Sequence, residues 1–518
     1  MRRFSRLILV SLVGSFGLVA VTSSAAVATA PTISALSAGG SHTCALTNAG
    51  GVLCWGDNSS GQIGYGAGGN PLTPAWVSGL DSGVAAVSAG DQHTCALTNG
   101  GGVLCWGSNE FGQVGPGAPP GGALAPVAVT GLDSGVAAVS AGGVHTCALT
   151  TGGEVFCWGE NQYGQLGDGT TVSRSTPAAV SGLGGQVVAI SAGELDTCAL
   201  INSGAVRCWG DNENGQLGNG TSTSSSTPVD VTGLESGVVA VSAGAWHTCA
   251  LTSDGTVHCW GKNFSGELGD GTTTSSSTPV DVVGLNGTAT AVGVGEAHTC
   301  AITSGGGVQC WGDNYRSQLG DGTTNNSSAP VGVIGLGSGV TALSAGGAGA
   351  HNCVLPSSGG VLCWGEGYFG QLGDGGTTDK STPVEVQFGQ SATGLQGSGS
   401  PSALGDPVTF TASVVPTDGT GTVGFAADGA TISGCGNQPV VYHNYGYTAT
   451  CTTSSLSLGQ HSITASYSGD SRYGPSTSSP VQQNVLRCIN CVSSPTPLPF
   501  PLSNLIQTLN QLLVGLGI

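Results

Sequence analysis

The chain has 518 residues with 93 Gly and 23 Pro, and only 8% of its residues are charged. So much Gly excludes a helix-rich fold, because Gly weakens helix interiors, and the lack of a strict three-residue Gly period excludes collagen, while 39% hydrophobic residues can still build a core. Ten Lys+Arg against 29 Asp+Glu give a net charge of −19, a surface that repels phosphate backbones, so nucleic acid is excluded as a partner.

Residues 1–28 read as a secretory signal peptide: basic Met1-Arg2-Arg3-Phe4-Ser5-Arg6, an apolar run from Leu7 to Val21, then small residues ending at Ala26-Val27-Ala28. Cleavage is expected after Ala28, because the competing site Ala28-Thr29-Ala30 would leave Pro31 at the new N-terminus. An uncleaved anchor helix is the alternative. Export predicts a secreted or cell-surface protein and makes the 18 cysteines readable as a disulfide framework rather than a reduced metal or redox set.

Residues 29–388 are built from a repeat. Fourteen cysteines fall in seven pairs, always ten residues apart: Cys44 with Cys54, Cys95 with Cys105, Cys147 with Cys157, Cys198 with Cys208, Cys249 with Cys259, Cys300 with Cys310 and Cys353 with Cys363. The first members advance by 51, 52, 51, 51, 51 and 53 residues. The fifth copy shows the parts: Val238-Val239-Ala240-Val241-Ser242-Ala243-Gly244, His247-Thr248-Cys249-Ala250-Leu251, a Ser253-Asp254-Gly255 turn, Val257-His258-Cys259-Trp260-Gly261, and Pro279-Val280-Asp281-Val282. These predict four short strands per copy with no run of helical period. A four-stranded unit of roughly 50 residues has the size of a propeller blade, so seven copies predict an all-β, seven-bladed β-propeller. In a hairpin centred on Ala49, Cys44 and Cys54 face each other from the same side, within disulfide reach. Each such bridge is expected to contribute up to about 2.5–3 kcal/mol. C-x9-C is not zinc-ligand spacing, so no metal is expected there.

The motif Gly-x-x-His…Ala-Leu…Gly-x-Val-x-Cys-Trp-Gly-x-Asn-x-x-Gly-Gln-Leu-Gly resembles the regulator of chromosome condensation repeat family, in its bacterial exported type, over residues 33 to about 388. The resemblance implies a seven-bladed ring closed by the two chain ends meeting in one blade, which would place Ile33–Gly39 beside Pro383–Val386. For function it implies several uses: a guanine-nucleotide-exchange regulator that contacts chromatin, or a secreted inhibitor that caps a β-lactamase with one propeller face. An exported, acidic, disulfide-bonded chain fits the nuclear partners poorly, and the fold alone does not decide.

Residues 389–487 predict a C-terminal immunoglobulin-like β-sandwich. Asp406–Val414 and His461–Tyr467 alternate cleanly, with turns at Asp418-Gly419 and Ser468-Gly469-Asp470. Gly459–Asp470 resembles bacterial immunoglobulin-like domains of surface proteins, which implies a spacer or stalk, and Cys435 and Cys451 are expected to staple two of its strands. In residues 488–518, Pro495, Pro497, Pro499 and Pro501 make an extended spacer, and Leu502, Leu505, Ile506, Leu509, Leu512, Leu513 and Leu516 recur at helical spacing. That short amphipathic tail is expected to dock or self-associate, with a membrane contact as the alternative. Cys488-x-x-Cys491 reads as a small disulfide loop, its pairing open.

No cofactor, metal or catalytic constellation is expected. His42, His93, His145, His247, His298 and His351 stand two residues before the first Cys of their copies, with Asp196 in the fourth; equivalent positions in different blades do not converge, so each is expected to be buried and hydrogen-bonded within its blade. Asp211-Asn212-Glu213-Asn214-Gly215 lacks the Gly and Glu positions of a calcium loop and is read as a turn. What varies between copies is two loop sets. Phe111, Tyr163, Phe264, Tyr315, Arg316 and Tyr368 follow Cys-Trp-Gly, and Trp246 precedes a Cys, with acidic neighbours such as Glu110, Glu160, Glu194 and Glu296. Aromatic residues beside carboxylates suit a protein partner. The reading is therefore a non-enzymatic, exported protein-binding propeller on an immunoglobulin-like spacer, with inhibition of an extracellular enzyme as the alternative.

Overall fold

Each repeat folds into one antiparallel four-stranded sheet whose strands lie in chain order, and seven such sheets occupy Ile33 to Glu385. The computed structural model describes residues 31–487 apart from 418, 444, 445 and 471. The expected leader and the tail with Cys488 and Cys491 lie outside the described residues. Blade five shows the pattern: Val238–Ala243, His247–Thr252, Val257–Gly261 and Ser276–Asp281. First strands of neighbouring blades pack on one another all the way round, including blade seven on blade one, so the first strand is innermost and the ring is closed. The described residues contain no helix.

The two central strands of each blade are buried on both faces, which is why they read as His-Thr-Cys-Ala-Leu and Val-x-Cys-Trp-Gly rather than as alternating polar and apolar residues. Cys44 stands directly opposite Cys54 in that pair of strands, and the two are bonded at a Cα separation of 4.1 Å. The same bridge at the same separation joins Cys95 to Cys105, Cys147 to Cys157 and Cys198 to Cys208. It recurs from Cys249 to Cys259, from Cys300 to Cys310 and from Cys353 to Cys363, so every blade carries the staple that the ten-residue spacing predicts. The Gly after each Trp adopts positive φ, +105° at Gly56, where a Cβ would meet the Ser41 carbonyl at 2.6 Å. A second Gly, that of Gln-Leu-Gly, lies on the next blade's indole: a Cβ on Gly218 would sit 2.7 Å from Trp260 Nε1.

Neighbouring blades are joined by a repeated side-chain belt. His42 Nε2 meets Thr94 Oγ1 of the next blade at 2.8 Å, and that hydroxyl donates to the Gln62 carbonyl, which also accepts from Trp106 Nε1. Because the threonine proton is committed to Gln62, Nε2 must be the donor, and burial, which lowers His42 to about 4, keeps the ring neutral at pH 7. The same set recurs at every seam except that after blade four, where Asp196 replaces the histidine, with Asn352 in place of Thr at blade seven. It closes the ring with His351 on Thr43 and the Gln371 carbonyl accepting from Thr43 and Trp55. The histidines are thus buried, as expected, but they bond the next blade rather than their own. A second belt lies nearer the axis: Ser37 Oγ accepts from Ala89 N, and equivalent bonds follow at five further seams, the last between Ser344 Oγ and Ala38 N. Blade six lacks it, having Gly293 where the others carry Ser.

The ring does not close as the family resemblance implied. Ile33–Ala38 is the innermost strand of blade one, and Lys380–Glu385 the outermost strand of blade seven. The chain enters in phase with the repeat, so seven complete blades form and no blade is shared between the two ends.

The second unit is a two-sheet sandwich. One sheet orders Ala392–Gly397, Val408–Val415, Gly446–Thr453 and Val441–His443; the other contains Val481–Leu486, Gly459–Tyr467 and Thr422–Ala427. Val408, Phe410, Ala412 and Val414 alternate inward against Val423, Phe425, Ile463 and Ala465. Cys435 and Cys451 are bonded, but the bridge joins the strand Gly446–Thr453 to a loop rather than to a second strand. That loop belongs to the opposite sheet, where the Cys435 carbonyl accepts from Phe425 N.

Candidate functional site

The two variable loop sets lie on one face. In an antiparallel blade, the turn between the first two strands and the connection between the last two emerge at the same end, and Asp57 N donating to the Ser41 carbonyl joins them. Below the surface the connection is held rigidly. In blade five, Asn263 Oδ1 accepts from Leu268 N while Nδ2 donates to the carbonyls of Thr272 and Thr274. In blade six, Gln318 Oε1 accepts from Arg316 N and Nε2 donates to Asp313. Asp211 and Asn212 are engaged in the same way, with Gln216, Leu217 and Thr223, so that segment is a loop staple.

This frame pushes the intervening residues outward. Phe264, Tyr315 and Tyr368 stand at matching positions on blades five, six and seven and are 70%, 78% and 67% exposed. Trp246, half-buried, comes from the adjacent turn of blade five. Lys262 Nζ lies 5.9 Å from the centroids of both Trp246 and Phe264, and the Arg316 guanidinium 5.8 Å from that of Tyr315. Arg316 also faces Glu366 and Asp379 at 3.7 and 3.8 Å, and Tyr368 meets Phe369 edge-on at 4.9 Å. Five of the seven residues singled out from sequence, Trp246, Phe264, Tyr315, Arg316 and Tyr368, therefore share one sector. Phe111 and Tyr163 occupy the same face on blades two and three, Phe111 exposed and Tyr163 half-buried.

Carboxyl groups cluster toward the mouth of the ring on this face. Burial, reinforced by neighbouring carboxylates, raises Asp91 to about 6 and Glu194 to about 7. Lys262 and Arg316 are instead within electrostatic reach of Glu296. A two-residue insertion in blade seven carries Gly347 and Ala348 across to line a constriction with Gly142 and Gly193, which narrows the axial channel. Sequence reasoning missed this insertion's role, although the 53-residue last step of the period marked it. Among the described residues, no group of three His, Cys, Asp or Glu is placed to hold a metal ion.

The family model described as RCC1-like domain matches residues 18–282 and 123–434. The chain belongs to the RCC1-like domain family. A second model, bacterial Ig-like domain (group 3), matches residues 395–486, the sandwich. Among curated proteins, the RCC1-like propeller is similar to the Ultraviolet-B receptor UVR8 of Arabidopsis thaliana. The two are 33% identical over 257 residues, 49% of this chain and 58% of that protein. It is also similar to the E3 ubiquitin-protein ligase HERC2 of Homo sapiens, 37% identical over 206 residues, 39% of this chain and 4% of that protein. The chain thus spans less than two thirds of either relative. Human WBSCR16 superposes with a TM-score of 0.55 at 26% identity, covering 61% of this chain and 85% of that one. Yeast RCC1 (Prp20), solved bound to Kap60, superposes at 0.58 and 20% identity, covering 69% and 85%, a likeness of fold.

Proposed function

We propose that the chain is an exported, non-catalytic binding protein that holds a protein partner on the loop face of blades five to seven. The observation that carries this reading is the run of exposed rings at one repeat position on three successive blades, each on a loop pinned by a backbone N–H to Glu267, Gln318 or Gln371 and, on blades five and six, flanked by two of the chain's few cations. Rigid aromatic residues beside Arg are the side chains that dominate protein interfaces, because they bury much area at little entropic cost. Eight disulfides among the described residues support an oxidising compartment, hence a secreted or surface location. Yeast Prp20p, a neighbour in fold, has been studied for its binding to Gsp1p and histones, a precedent for protein recognition on this scaffold.

The test is capture from surface and culture-medium proteins with the disulfide-intact chain as bait. Tyr315→Ala and Phe264→Ala are each expected to weaken the captured partner by about 30-fold, the range of an interface anchor. Phe111→Ala, on blade two, is expected to leave it within about threefold. Equal retention by all three variants, or no retained protein at any salt, defeats the reading.

A further inference from the structure

Six seams of the ring are crossed by the chain itself: each outermost strand leads directly into the next innermost one, as Ala123–Ala128 leads to Val136–Ala141. The seam between blades seven and one has the same side-chain belts as the others, but no such connection. A peptide link keeps two blades at high effective concentration, so the one seam without it is where the ring opens most easily. A cleft of about 680 Å³ lies at this seam, between Pro31–Ser34 and Val386–Gln390.

The chain leaving blade seven crosses that seam. Val386 N donates to the Val361 carbonyl in blade seven, the Phe388 ring then stands edge-on to Trp55 of blade one at 6.1 Å, and the Gln390 carbonyl accepts from Thr73 of blade one at 3.0 Å. The sandwich that follows grips the outer edge of blade one. Trp76 N donates to the Tyr473 hydroxyl at 2.7 Å, and Tyr442 donates to the Gly66 carbonyl at 2.8 Å. Arg472 pairs with Asp81 at 2.7 Å while its guanidinium stands 5.6 Å from the Trp76 ring centroid. Val415 and Tyr447 pack on the apolar cluster of blades one and two, which includes Tyr65.

Blade one is altered to receive this contact. Its outermost strand is two residues long, Ala75–Trp76, where the other blades have six, and a longer connection presents Tyr65 and Gly66 to the sandwich. From these contacts we infer that the immunoglobulin-like domain is a clasp: it ties blade seven to blade one and takes the place of the shared blade that would otherwise close the ring. It is a docked part of the propeller rather than a free stalk. This inference is independent of what blades five to seven bind.

Hydrogen exchange read by mass spectrometry on the full, disulfide-intact chain tests it. The double variant Arg472→Ala with Tyr473→Phe changes only sandwich residues. It is expected to raise amide exchange roughly tenfold in residues 33–56 and 351–385, with blades three and four unchanged. Thr73→Val, which removes the contact to the crossing segment, is expected to raise the same seam by a smaller factor and serves if the double variant misfolds. A rise confined to residues 392–486, a uniform rise around the ring, or no change at the seam overturns the inference.

Discussion

Asp196 interrupts the inter-blade belt, and restoring it with Asp196→His gives a prediction with a calculable size. In six blades an imidazole Nε2 bonds the next blade; in blade four the carboxyl is 1% exposed and its Oδ2 has no hydrogen-bond partner. Histidine exchanges the unsatisfied Oδ2 for a ring whose Nδ1, like that of the six belt histidines, has no partner either, but it adds a bond to Thr248, worth about 0.5–1.5 kcal/mol, and spares the burial of a carboxyl, so a gain of about 2 kcal/mol is expected at pH 7.5. The gain depends on pH. Burial first, then Asp211 and Glu194, holds the Asp196 carboxyl well above its ordinary range. A raised carboxyl contributes fully only below its unfolded value and loses that contribution as pH rises toward the folded one. The belt histidines do the reverse: burial lowers His145 to about 4, so its contribution is complete above 6.5 and is lost as pH falls toward 4. Urea unfolding followed by the fluorescence of the buried tryptophans should therefore place the variant above the wild type at pH 7.5. At pH 4.5 the gap should have narrowed by about 2 kcal/mol or more. Asp196→Asn, neutral but unable to span to Thr248 as an imidazole does, should gain less at pH 7.5. A histidine variant no more stable than the wild type at pH 7.5, or a gap that does not change with pH, would refute the reasoning.

Gly293→Ser should restore the missing bond of the inner belt. A Cβ there lies in ordinary contact, 3.4 Å, with both Ala345 N and Ala345 Cβ, so the hydroxyl can accept from the amide and stabilise by about 0.5–1.5 kcal/mol, read as a higher urea midpoint with unchanged slope. The wild-type ring should unfold in acid. Burial lowers His42, His145 and His298 to about 4 and His93, His247 and His351 to about 3, so stability is lost between pH 6.5 and 3, on the order of 3 kcal/mol for each ring that must charge. Buried carboxyls are raised and act oppositely, Asp91 to about 6 and Glu194 to about 7 with Asp196, Glu160, Glu267, Glu296 and Glu366 also upward, but they add nothing further below about pH 4, where the histidines are still losing stability. A propeller whose denaturant midpoint is the same at pH 4 as at pH 7.5 would contradict this.

The blade itself was readable because its constraints are local. Cys44 and Cys54 share one hairpin, so their distance follows from strand register alone, and the Gly after each Trp follows from a positive φ that no other residue adopts easily. The interaction between blades was not, since it joins residues about 50 positions apart. His42 was recognisable as buried, but its partner Thr94 and the carbonyl of Gln62 belong to different elements brought together only by the ring. A signal existed: Thr follows His or Asp before the Cys in six copies, and Asn352 replaces it in the seventh while keeping the same donor and acceptor roles. For the site, the sequence identified the variable aromatic residues but not their face, which depends on which strand ends coincide. Arg472, Tyr473 and Trp76 were invisible as a set, because domain docking leaves no periodicity to read. The closure expected from family resemblance failed for a definite reason: the first repeat begins with its innermost strand, Ile33–Ala38, and the seventh ends with its outermost, Lys380–Glu385.

The central claim, that the loop face of blades five to seven holds a protein partner, is tested most directly by the hydrogen-exchange footprint of the captured partner on the intact chain. Protection is predicted in residues 262–267, 313–318 and 366–371. Protection confined to the opposite ends of the blades, at residues 99–102 and 253–256, would contradict it.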